Sequence, residues 1–510
     1  MKKLLFYLLL STFSFAGMAQ EFNPTELNFM VSAEKYMDGK RTEKISAMHV
    51  TNKHITTVRF VKKYIFWDVF DGNMNKMFAG MIKKERNEEY LGHANAGNTI
   101  QVFTVYKPRS ATICSIFCYT LDADSNTHSK TEVFVSDYNT TEEQRDPLSV
   151  MRRVLFATSP NHQYVAIAMD DYNSNRNSYV VRVLDTKNLN LVYETSFSKD
   201  KEKYFQQGDF TVNDAAEVFT IGRTFFKGTR QRRKGKINYE YTLHKLTKDK
   251  TSQLTIPVQT KFLKSLQINE YKGKLSLIGF YADENIRDIN GIFTATVNKK
   301  NMSLIATKQT KLPAQVYQDL FRKEEAERRI QNQTGLPNYS FHDLLVDSKG
   351  NAYLCANISQ NVWSGGFSSM TIGFHGGGPI GETLNREYEN MVICKLNTKG
   401  EVLWGRGLEI KPLLVTPYMF LKDDMLQMMI TSDCNMRERK GGRMKFTISF
   451  FGKSCLLHMT LAPSSEFTFH TYSYRSTLKS YYEPSEGFYA NGIFVIPENH
   501  MKNKRFLKMY

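Results

Sequence analysis

Two short runs concentrate positive charge in this chain: KGTRQRRKGK over Lys227–Lys236 and RERKGGRMK over Arg437–Lys445. Each contains glycine, as a hairpin tip would. Crowded guanidinium and ammonium groups suit recognition of carboxylates, phosphates or sulfates, which arginine grips through paired hydrogen bonds. Taken singly, either run also reads as a solvated loop tip. The candidate ligand contacts are Arg232, Arg233 and Lys234 from the first run and Arg437, Arg439 and Arg443 from the second.

Other stretches that resemble chemical motifs fail on a key residue. GGGPIGET (Gly376–Thr383) has the spacing of a phosphate-binding loop, but Glu382 stands where that loop needs lysine. A carboxylate there repels phosphates, so a flexible insertion is the better reading. DYNSN (Asp171–Asn175) opens like a calcium loop, yet Arg176 takes its glycine position and Arg182 its bidentate glutamate position. The 11 histidines are scattered, with no HExxH pair and no close His/Cys cluster, so no metal site is expected. Neither a G-x-S-x-G elbow nor a sialidase-type S-x-D-x-G-x-T-W box is present. With 51 acidic residues, any choice of a carboxylate pair for glycoside chemistry is arbitrary. Catalytic residues are therefore unassigned, and no cofactor is expected.

The elements that must carry the basic runs are strands. Phe341–Ile410 reads FHDLLV, a DSKGN turn and AYLCANI, then YENMVICKL, an NTKGE turn and VLWGRGLEI. Four apolar segments with two tight glycine turns describe one four-stranded antiparallel sheet, interrupted by a Gly-rich excursion over 362–388. An Asn/Asp turn before an apolar strand recurs at Asn95, Asn161, Asn213, Asn269, Asp347 and Asp423. A period of roughly 50 residues with insertions is the signature of a β-propeller. The expected fold is all-β: seven or eight four-stranded blades, with the N-terminal segment completing the blade made by Gly487–Tyr510. Tandem β-sandwiches rank second. One helix is expected near 313–335, opened by Pro313, striped by Val316, Leu320, Phe321 and Ile330, and stopped by Gly335 and Pro337.

The chain opens MKKLLFYLLLSTFSFAGMAQEF: two lysines, an apolar run over Leu4–Phe15 and a small-residue exit at Ala16–Ala19. This reads as a signal peptide over 1–20, too short to span a bilayer, and leaves 21–510 as a single propeller domain. Export to the periplasm or the extracellular space is expected, with no transmembrane segment. The net charge of +17 favours acidic partners such as lipid head groups, phosphorylated glycans or anionic polysaccharides. Nucleic acid fits poorly, because no stacking platform accompanies the charge. Six cysteines do not make a disulfide scaffold at this length. Cys355 and Cys394 fall on neighbouring strands, open either to bridging or to simple burial.

The stretch LPNYSFHDLLVDSKGNAYLCAN with ENMVICKLNTKGEVLWGRGLEI, and the preceding GIFTATVNKKNMSLIATKQTKLP, resembles a group of exported propeller-like proteins of unknown function common in Bacteroidota. SPNHQYVAIAM is similar to a strand-turn of the periplasmic TolB-like propellers, and Asn397–Trp404 resembles the quinoprotein-type blade motif. The likeness runs over roughly residues 95–475 and implies a fold. It implies no activity and carries over no functional residue.

Parity then sorts the loops. In a four-strand meander whose first strand lies nearest the axis, the first-to-second and third-to-fourth turns share one end of the ring. The short recurring turns are of that kind. Lys227–Lys236, 362–388 and Arg437–Lys445 join second to third strands, and the 313–335 helix joins two blades. All of these, with Trp363 and His375, are expected at the opposite end, as further candidate contacts. The expected function is non-enzymatic binding of an anionic glycan, another envelope component or another exported protein. The alternative is a propeller enzyme, a glycan hydrolase or lyase acting on an anionic polysaccharide. Nothing in the sequence sets an oligomeric state.

Overall fold

Asp347 opens a turn that the chain uses repeatedly. Its Oδ1 accepts the amide N–H of Lys349 at 3.0 Å and of Asn351 at 2.7 Å. Gly350 stands in the left-handed region at φ +84°, where a side chain is strained. Asn397 does the same for Lys399 and Glu401, with Gly400 at φ +72°. Asp71 and Asn213 repeat it, with Met74 and Ala216 in the left-handed position. A side-chain oxygen that takes two backbone donors replaces bonds that a reversing chain loses. Hence the recurrence of Asn and Asp where sequence units open.

Between these turns the apolar runs pair into antiparallel sheets. The computed structural model describes residues 30–31, 45–61, 63–106, 113–137, 154–171, 178–197, 204–227, 230, 232–233, 236–257, 261–283, 288–365, 382–410, 417–433, 437–439, 443–446, 454–473, 480–482, 484–500 and 503–509. Seven four-stranded blades follow one another over 45–83, 88–137, 154–197, 204–256, 262–311, 339–410 and 418–473. Within each, strands are ordered along the chain from the axis outward, and first strands of successive blades touch around the ring. The second strands are the most deeply covered, having a blade on either face: Val165, Ala166, Ile167 and Ala168 are fully buried. The outermost strand Leu191–Phe197 mixes exposed and buried positions. The first blade, over 45–83, precedes the point at residue 95 where the repeat becomes legible in the sequence.

An eighth sheet closes the ring. Ser480–Tyr482 and Phe488–Ala490 both pair with Ile493–His500, which pairs with Asn503–Met509. The outermost strand is Met30–Val31, from the other end of the chain, opposite Lys508 and Leu507. Phe494 and Ile496 pack on Phe420, Met429 and Leu456 of the seventh blade. Val495 packs with Ile45, Val50 and Phe70 of the first. The ring of seven regular blades is thus joined by a sheet that the N-terminal segment completes, as expected.

Three details differ from the sequence reading. The single helix is two helices, α1 (Ala314–Leu320) and α2 (Lys323–Gln331), separated by extended Phe321 and Arg322. The break lets Val316, Tyr317, Leu320 and Ala326 all enter the apolar layer between the fifth and sixth blades. Asn95 and Asn269 lie within the strands Glu88–Ala96 and Phe262–Tyr271, and the turns follow at Gly97–Asn98 and Lys272–Gly273. Cys355 stands opposite Ile393, and Cys394 opposite Leu354, so their side chains leave opposite faces of the sheet; both are free and buried. Among the described residues no helix is long and apolar enough to cross a membrane.

Candidate ligand-binding end of the ring

The two ends of the ring are unequal. At the short-turn end, polar groups bond from blade to blade. The Asn161 amide donates to Asp214 at 3.0 Å, Asn213 Nδ2 to Glu270 at 2.8 Å, and the Ser348 hydroxyl to Asp424 at 2.8 Å. Lys299 reaches Glu217 at 2.8 Å and Glu270 at 2.7 Å. Burial raises the Glu217 pKa, but hydrogen bonds from Lys245, Lys299 and Asn213 outweigh it and hold the carboxyl at about 2. This end satisfies much of its own polarity.

Every elaboration among the described residues lies at the other end. The first basic run folds as a small hairpin, Arg232–Arg233 paired with Lys236–Ile237, between the second and third strands of the fourth blade. Its base is fixed by buried Asn238, whose Nδ2 donates to the carbonyls of Lys227 at 2.7 Å and Arg230 at 2.8 Å. Arg230, Arg233 and Lys236 are exposed, while Lys234 lies outside the described residues. The second run is also a hairpin, Arg437–Arg439 paired with Arg443–Phe446, in the corresponding connection of the seventh blade. Lys445 and Phe446 then pair in parallel with Glu409 and Ile410, the outer edge of the sixth blade. The hairpin is therefore a strap between blades rather than a loose tip. Trp363 stands opposite Leu384 in the long hairpin Ala352–Gly365 with Glu382–Leu396, and His375 lies outside the described residues. The topology places both basic hairpins and the helix pair at one end, with the fifth and sixth blades between the two hairpins.

A further charged cluster at this end was not among the sequence candidates. Five first strands carry one extra residue, at Ser46, Leu91, Gly208, Lys264 and His342. Such bulges re-aim a side chain out of the regular ladder. At the fifth blade the bulged residue is Lys264, whose Nζ donates to the Tyr339 carbonyl of the sixth blade at 2.7 Å. Arg223 of the fourth blade donates Nε to the Tyr241 hydroxyl at 3.0 Å and Nη2 to the Lys264 carbonyl. Its guanidinium lies 5.2 Å from the Tyr239 ring and 5.6 Å from the Tyr241 ring. Burial, with the charge of Arg223 beside it, brings the Lys264 amine down to about 8 against the pull of Asp288. Burial raises the Asp288 carboxyl, against Lys264 and Arg329. The only sequence signal was a lysine in the otherwise largely apolar run FLKSL.

Toward the short-turn end, His49, His93 and His162 come from the first three blades; the charge of His162 acts on both of the others, and that of His49 acts on His93. Tyr90 Oη lies 2.7 Å from His93 Nδ1, and His49 Nε2 lies 2.8 Å from the Gly97 carbonyl. Among the described residues no group of three or more His, Cys, Asp or Glu is arranged to hold a metal ion.

The strand order defines the class: a β-propeller whose closing sheet takes strands from both ends of the chain. No protein-family model matches the chain, and no curated protein matches it. Solved structures do match, at low identity. A prolyl endopeptidase is 10% identical with a TM-score of 0.40, over 90% of this chain and 55% of its own. Porphyromonas gingivalis dipeptidyl peptidase 4 is 11% identical with a TM-score of 0.43, over 90% and 56%. The polysaccharide lyase Uly1 is 10% identical with a TM-score of 0.39, over 82% and 90%. The chain thus spans little more than half the length of the two peptidases. At these identities the likeness concerns fold alone, and no activity passes to this chain.

Proposed function

We propose that this protein is an exported binding propeller of the kind its Bacteroidota-like stretches suggest, taking an anionic polysaccharide at its loop-rich end. The observation that carries the reading is the inequality of the ends. One is knitted by short turns that bond each other, whereas the other gathers both basic hairpins, the helix pair and Lys264 with Arg223. Loops built on a rigid scaffold are where recognition surfaces usually form. The experiment compares the mature chain's binding to polygalacturonate with its binding to neutral dextran at low ionic strength. The reading requires polygalacturonate to bind and dextran not to; equal binding to both would end it.

Lys264 favours a second reading, an anionic-polysaccharide lyase. An amine near 8 is suited to take the proton beside a uronate carboxylate while a carbon–carbon double bond forms, the neighbouring C–O bond breaks and the leaving oxygen takes a proton from water. Unsaturated uronate absorbance appearing during the same incubation would replace the binding reading with this one.

A further inference from the structure

We infer that His49, His93 and His162 make the joint between the closing sheet and the first blades an acid-operated latch, shut at neutral pH and opening locally as the imidazoles charge. His93 belongs to the first strand of the second blade, and the Phe488 ring of the closing sheet stands 6.4 Å from its own. His49 belongs to Ile45–Val50, the first strand of the first blade. Both ends of that strand are tied to the closing region. Glu486 accepts the Ile45 amide at 3.1 Å, and Asn491 Nδ2 donates to the Val50 carbonyl at 3.1 Å. His162 comes from the third blade, in the turn where its amide donates to the Ser159 carbonyl at 2.8 Å.

The bonds around these rings suit the neutral form. His49 Nε2 donates to the Gly97 carbonyl at 2.8 Å, which places the neutral ring's proton on that nitrogen. His93 Nδ1 lies 2.7 Å from the Tyr90 hydroxyl, which can donate to it. His162 is held at φ +59°, with its carbonyl accepting the Thr186 hydroxyl at 2.7 Å, and its Nδ1 is buried with no partner among the described residues. A charged imidazole donates from both nitrogens. Protonation would therefore make the Tyr90 hydroxyl turn to accept, and would leave His162 with a buried N–H that meets no acceptor.

The charges facing the rings act the same way. His162 acts on His49 and His93, and His49 on His93, each disfavouring a second cation. Asp214 of the fourth blade, which takes the Asn161 amide at 3.0 Å, opposes this at His162 alone of the three. His54 differs, having Asp124 at 3.0 Å. Burial is the largest cause for all three rings and holds each below the ordinary 6.5, with His93 at about 4. Opening the joint returns them to water, so the open state binds the extra protons and gains as pH falls through 6.5. From His93 alone, the opening equilibrium rises roughly thirty-fold between pH 7.5 and pH 5. Farther round the ring, Glu217 ties the fourth and fifth blades with a carboxyl at about 2, which stays charged over that range.

The test is hydrogen exchange of the full chain, read by peptide mass at pH 7.5 and pH 5 and corrected for the intrinsic effect of pH. Amides of Ile45–Val50 and Ile493–His500 should exchange at least roughly thirty-fold faster at pH 5, while those of Gly291–Asn298 in the fifth blade keep their protection. H93Q should cut that rise by roughly ten-fold or more. D214N removes the carboxylate beside His162 but keeps an acceptor for Asn161, and should enlarge the rise. A purely structural role for these residues would change protection equally at the two pH values. The native pattern needs no variant and decides by itself: equal loss of protection in all blades at pH 5 would overturn the latch. So would an undiminished acid rise in H93Q.

Discussion

His93 shows what one buried side chain does to this ring. Burial, then the charges of His162 and His49, brings its imidazole down to about 4 from an ordinary 6.5. Tyr90 bonds it, and the Phe488 ring of the closing sheet stands 6.4 Å away. The folded state therefore prefers the neutral ring. Its contribution is present above the unfolded value near 6.5 and is lost as pH falls toward 4, because the unfolded chain then binds the extra proton. A difference of this size is worth at most about 3 kcal/mol. His93→Gln, which keeps a polar partner for Tyr90, should flatten the loss of stability between pH 6.5 and 4.5 in urea melts. An unchanged slope would place the acid sensitivity elsewhere. Neither His93 nor Lys264 was legible as a site residue. Each sits in a short strand whose pattern reads as sheet, and its neighbours come from other blades. The arginine-rich runs were legible because composition alone marks them, although not where they attach.

The helix pair makes the corresponding point at the scale of elements. Asp319 of α1 is nearly buried, taking Arg406 at 2.7 Å and the Gly407 amide at 3.0 Å on the outer strand of the sixth blade. That approach needs a bare backbone: a Cβ on Gly407 would lie 2.6 Å from Leu320 Cγ and 2.8 Å from the Val316 carbonyl. Gly407→Ala should destabilise the protein by about 1–3 kcal/mol through overpacking, measured by urea denaturation. A neutral result would mean that α1 is not seated on this strand. The Asn/Asp turns were legible because their bonds are local and fix residue type. The break at Phe321 and the strap over Lys445–Phe446 were not. Both are decided by contacts with a neighbouring blade, for which no local spacing exists.

At the scale of the molecule, closure joins the two ends of the chain in one sheet, and the period of the turns made the ring readable before any contact was known. Removing Arg505–Tyr510 deletes most of the strand that bridges Ile493–His500 to Met30–Val31, and with it the Lys508 bond to the Gly72 carbonyl at 2.7 Å. The truncated chain should melt earlier in a single lowered transition, because opening one joint exposes edges on both sides. An unchanged transition would argue against closure. The inequality of the two ends is the other property of the whole, and the functional account stands on it. Its most direct measurement is polygalacturonate affinity as a function of salt, for the native chain and for a variant with Arg232, Arg233, Arg437 and Arg439 all changed to glutamine. The account predicts weaker binding with a flattened salt dependence in the variant, at an almost unchanged melting temperature. Equal affinity and equal salt dependence in the two proteins would contradict it.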